Sequence, residues 1–180
     1  MKRHPLMRQP AVFSADRRYR YSLTREWDLR RGQLCWIMLN PSVAGSERDD
    51  PTIRRCIGFA QRWGFGGIVV VNLFGLVATY PHQLLMAKDP IGPRNDDAIL
   101  EAISNRRVIC AWGNVFHFAE RKSDVLRILE STKTNPQCLG LTKFGHPSHP
   151  VRLSWKQKLR PFRPIMPGSR PPIDTGRLMP

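Results

Sequence analysis

Residues 34–42 read LCWIMLNPS. Leu34, Cys35, Trp36, Ile37, Met38 and Leu39 make one apolar run without polar alternation. Such a run suits a strand covered on both faces. Pro41 stops it, because proline has no N–H for a ladder and biases the residue before it away from helix. Asn40 is therefore expected at the carboxyl end of a central strand, where open α/β sheets bind their ligands.

Working outward, two more runs share this character. Residues 68–73, IVVVNL, stay apolar and β-branched until Asn72, and residues 107–112, RVICAW, end at Gly113-Asn114. Helical patterns separate them. Asp50-Pro51-Thr52 reads as a helix start, with Asp50 as cap and Pro51 at the first helical position. That helix is expected over 51–63, with Ile53, Cys56, Ile57 and Ala60 on its inner face. Further helices are expected over 81–87, over 95–104 with Asn95 or Asp96 as cap, and over 116–131. A strand over 19–23 is a candidate edge, and a short last strand falls at 138–141 before the loop KFGHPSHP. Strands alternating with helices imply a largely parallel sheet with helices on both faces, a three-layer α/β/α sandwich.

The 180 residues suit one domain with a single core. The net charge is +15, unevenly spread: residues 1–31 hold nine basic and three acidic side chains, 32–151 thirteen and ten, 152–180 seven and one. Three segments follow: a basic flexible arm at 1–17, the α/β domain at 18–155, and a basic, Pro-rich disordered tail at 156–180. Basic ends attract polyanions, nucleic acid being the commonest. No run approaches the roughly 18 apolar residues of a membrane span. The N-terminal stretch lacks an apolar secretory core. Four scattered cysteines without C-x-x-C spacing suit buried thiols in a reducing cytoplasm, with no metal implied.

The phrases LNPSVAG, DDPTIRRCIGFAQRWGFGG, VVVNLFG, GPRND and GHPSHPVRL resemble a bacterial and phage family catalogued as domain of unknown function 1643. The motif order also resembles the uracil-DNA glycosylase superfamily. Asn40-Pro41-Ser42 is similar to its water-positioning loop, VVVN ending at Asn72 to its base-reading strand, VICAWG to its third apolar strand, and His146-Pro147-Ser148 to its late His-Pro-Ser loop. The resemblance implies a cofactor-free N-glycosidase acting on DNA. Asn40 would orient water, with Pro41 and Ser42 beside the base; Asn72 would read the base; Phe74 would stack on it. His146 or His149 would stabilise the leaving base, and Ser148, Arg152, Lys156 and Lys158 would meet the nucleic-acid backbone. Asn40 stands where the most active members carry Asp, and Ser42 where Gly is usual. An amide is no general base near neutral pH, so slow hydrolysis is implied. Two other readings use the same fold: a non-catalytic nucleic-acid-binding module, and a hydrolase of free nucleosides or nucleotides.

Overall fold

A computed structural model describes residues 11–42 and 49–163. The strands are β1 (Ala11–Phe13), β2 (Arg20–Glu26), β3 (Gln33–Met38), β4 (Gly67–Asn72), β5 (Arg107–Cys110), β6 (Gln137–Cys138) and β7 (Arg160–Pro161). The helices are α1 (Pro51–Arg62), α2 (His82–Met86), α3 (Asn95–Ile103) and α4 (Ala119–Ser131). The seven strands form one mixed sheet in the order β1-β2-β4-β3-β5-β6-β7. Its centre, β4-β3-β5-β6, is parallel. Antiparallel pairs close both ends.

The unbroken apolar runs follow from burial on both faces. Leu34, Trp36 and Met38 of β3 pack with Ile68 and Val70 of β4 against Ile53, Cys56, Phe59 and Ala60 of α1. The alternate residues Cys35, Ile37, Val69 and Val71 pack against Ile99 and Ala102 of α3 and Val125 and Leu129 of α4. A period of two sends alternate side chains to opposite layers, so both sets must be apolar. All four cysteines are buried free thiols. Burial pushes the Cys35 thiol up to about 12. Among the described residues no helix is long and apolar enough to cross a membrane.

Several boundaries differ from expectation. β2 is not an edge, because β1 covers it. Ala11–Phe13 lies in the expected arm, and its three residues are too few for a periodic signal. β7 lies in the expected tail, where it pairs with β6 and brings the buried Phe162 onto Trp112, ring centroids 5.6 Å apart. Proline tolerates this edge position, which composition alone does not reveal. Residues 1–10 and 164–180, the rest of the expected arm and tail, lie outside the described residues. The strand expected over 138–141 is Gln137–Cys138, and β7 follows it. α4 starts at Ala119, so Phe116 precedes it and packs on Phe144 and His146 instead. Asn95 opens α3 without capping it; its amide is used elsewhere.

Candidate functional site

β3 and β4 end side by side, and the chain beyond them stays zipped. Leu73 N donates to Met38 O (2.9 Å), Phe74 N to Leu39 O (3.0 Å) and Ala78 N to Pro41 O (3.0 Å). α1 begins above these ends. Asp50 caps it through Oδ1, which accepts from Ile53 N (2.8 Å), while Oδ2 accepts from Ser42 Oγ (2.8 Å). Gly113 N donates to Pro147 O (2.9 Å) and Ser148 N to Gly140 O (2.8 Å), laying the His-Pro loop across the ends of β5 and β6. Arg55 of α1 donates to Pro150 O (3.2 Å) and to Leu153 O, and lies 3.5 Å from the Trp155 ring centroid. This side chain clamps the loop to α1.

Between these parts is a cavity of about 330 Å³. Arg20, Asn40, Ser42, Asp50, Thr52, Asn72, Thr79, Trp112 and His149 are on its wall. Asn40 Nδ2 donates to Ala78 O (2.8 Å) and Pro41 O (3.1 Å), which fixes the amide and leaves its oxygen without a donor among the described residues. Asn72 is 2% exposed and its Nδ2 has no partner. A buried amide nitrogen without an acceptor costs free energy, which native folds tolerate mainly where a ligand or water completes the bond. Trp112 Nε1 and Arg20 Nε are orphaned in the same way.

Of the two histidines, His149 is on the wall and His146 is not. His146 packs edge-on to Phe116, 5.7 Å between centroids. His149 is exposed overall, yet the atoms around its ring exclude enough water to push its pKa below the usual value, with Asp50 pulling the other way. Its Nδ1 faces Val151 N at 3.5 Å, a long contact that assigns the neutral ring's proton to Nε2. Desolvation and Lys122 also lower the His146 pKa.

The other expected residues separate into three groups. Pro41 is buried and Ser42 is on the wall, its hydroxyl held by Asp50. Phe74 is a correction: it is 3% exposed and packs edge-on to Phe118 (4.7 Å) in the core, so it offers no stacking platform. Arg152, Lys156 and Lys158 are exposed, and Ser148 is half-buried within the His-Pro loop.

Arg20 is the wall residue that sequence reasoning missed. It sits in a strand written RYRYSL, where alternation suggests an outward basic residue, yet it is 4% exposed. Burial lowers its pKa to about 10, Asp50 opposing and Arg25 assisting, so it stays charged at neutral pH. Asp50, read only as a cap, and Trp112, read only as core, also belong to the wall. No local signal marks them, because the wall is assembled from five separate segments.

Among the described residues no cluster of three or more His, Cys, Asp or Glu has metal-binding geometry. No curated protein and no solved structure matches the chain. One family model does, over residues 20–151, a span running from Arg20 past His149 and so covering every residue of the cavity wall, and the chain belongs to that family, described as "Protein of unknown function (DUF1643)".

Proposed function

We propose that this protein is a uracil-DNA-glycosylase-like α/β/α sandwich that draws a base of nucleic acid, DNA first, into the cavity and hydrolyses its N-glycosidic bond. One observation carries the reading: Asn40, Asn72 and His149, from three distant segments, share one cavity wall. The C1′–N bond breaks with its electron pair going to the base; water bonds C1′ through its oxygen, and the proton it then releases neutralises the departed base. Asn72, with an unpartnered amide nitrogen, suits the carbonyl and imide edge of a pyrimidine. Asn40, its nitrogen already committed, accepts a hydrogen bond from the attacking water and orients it without deprotonating it. His149 Nε2–H donates to the oxygen where negative charge develops. The exposed Arg152, Lys156 and Lys158 suit phosphate contacts.

The test is strand cleavage after alkali, on labelled oligonucleotides carrying uracil, mismatched and modified bases. Abasic sites made by the wild type and lost in Asn72→Ala, Asn40→Ala and His149→Ala support the reading. Tight, salt-sensitive binding without product on any base replaces it with a non-catalytic nucleic-acid module. The buried Arg20 favours a second reading, hydrolysis of a free nucleotide. Its activity would be nearly independent of salt, whereas log affinity for DNA falls steeply with log salt.

A further inference from the structure

Among the described residues, Arg20 is the charged group on the cavity wall whose side chain makes no hydrogen bond or ion pair. It is 4% exposed, its Nε has no hydrogen bond, and among the described residues it makes no ion pair. Asp50 acts on it only through its field. Both Asp50 oxygens are already occupied, by Ile53 N and Ser42 Oγ. Buried charges are ordinarily paired, because desolvation of a lone ion outweighs what packing returns. Among the described residues no group pairs with it, which leaves the place of its counter-charge open to an anionic ligand. Two further buried donors without partners, Trp112 Nε1 and Asn72 Nδ2, share the wall. The N-terminal end of the twelve-residue α1, with Thr52 and Ile53 on the wall, adds a positive dipole end. The acceptors left over, the amide oxygens of Asn40 and Asn72, carry no charge and leave this balance unchanged.

We infer that the cavity is an oxyanion receptor: its ligand carries a phosphate or carboxylate that lies against the Arg20 guanidinium, with the Trp112 and Asn72 N–H groups completing its hydrogen bonds. The inference stands on the donor set alone. It does not require cleavage of any bond, and a protein inactive on every base would still show it.

The test is thermal unfolding of the full chain in sodium phosphate or sodium acetate against sodium chloride of equal ionic strength. Arg20→Gln and Arg20→Lys are compared with Lys88→Gln, a control at an exposed lysine that removes the same charge from a chain of net +15. Wild type and Lys88→Gln should gain about 3 °C in Tm at roughly ten times Kd. Arg20→Gln should gain nothing, and Arg20→Lys less than wild type. A response to phosphate identifies a phosphorylated ligand; a response to acetate alone identifies a carboxylate. Without added anion, Arg20→Gln should melt at or above the wild-type temperature, because it no longer buries a lone charge. Equal gains in all four proteins would show only the anion atmosphere of a basic chain and overturn the inference, as would no gain in any. Melting of ligand-free Arg20→Gln below the wild type, or its failure to fold, would give Arg20 a structural role and overturn it as well.

Discussion

Two buried asparagines near the end of β4 should respond oppositely to the same substitution. Asn72 is 2% exposed and its Nδ2 has no partner. Asn95 is 1% exposed and its Nδ2 donates to Asn72 O (3.0 Å) and Leu73 O (3.1 Å). Leucine repeats the branching of asparagine without a polar atom, and at Asn72 its larger volume has the cavity to extend into. Asn72→Leu removes a buried donor whose unsatisfied state costs about 1–3 kcal/mol, so it should stabilise by about 1 kcal/mol after imperfect packing. Asn95→Leu removes two bonds worth about 1 kcal/mol each and strips the Asn72 carbonyl of this donor; relief of the orphaned Asn95 Oδ1 offsets part of that. The net should be about 2 kcal/mol of destabilisation, leaving about 3 kcal/mol between the two variants. For a chain of this size that gap is about 6–12 °C in Tm. Urea unfolding with a common m-value measures it as a shift in midpoint. A loss in Asn72→Leu equal to that in Asn95→Leu would refute the reasoning, because Asn72 would then be an anchor of the fold rather than a group held open for a ligand.

Gly66→Ala should cost about 3 kcal/mol or more, since a Cβ there would lie 1.9 Å from the Asp28 carbonyl oxygen and backbone must move; a urea midpoint within experimental scatter of wild type would count against this. His149 and His146 both have folded-state pKa values below the unfolded value, so the fold prefers neutral rings. Their stabilisation is present above about pH 6.5 and is lost as the pH falls from there through the lower folded values; His149→Gln should flatten part of that slope in a Tm-versus-pH series, and an unchanged slope would contradict it. Ending the chain at Trp155 removes β7 and the buried Phe162, which braces Trp112, and should cost about 3 kcal/mol or more relative to ending it at Arg163, which keeps both; equal urea midpoints for the two truncations would contradict this.

The central strands were legible because each is buried on both faces, a condition that writes itself into consecutive residues. Asp50-Pro51 likewise marked the start of α1, since capping needs only a side-chain oxygen and a free N–H three residues on. β1 and β7 were not legible. Each is two or three residues long, and pairing partners far along the chain, rather than local pattern, hold them in the sheet. Asn40 and Asn72 stood out as polar residues closing apolar runs, and both reach the cavity. Phe74 looked equally well placed near Asn72, but beyond the end of β4 its side chain turns into the core against Phe118.

By itself the sequence determined the mixed α/β character, the ends of the central strands, and the family to which residues 20–151 belong. Only the tertiary structure put His149, and not His146, on the cavity wall, because that placement depends on how Gly113 and Gly140 tether the loop. It also turned Arg20 from an outward strand residue into a buried charge. That burial depends on chain far away in sequence, since the start of α1, which shares the cavity wall with Arg20, lies thirty-one residues further along.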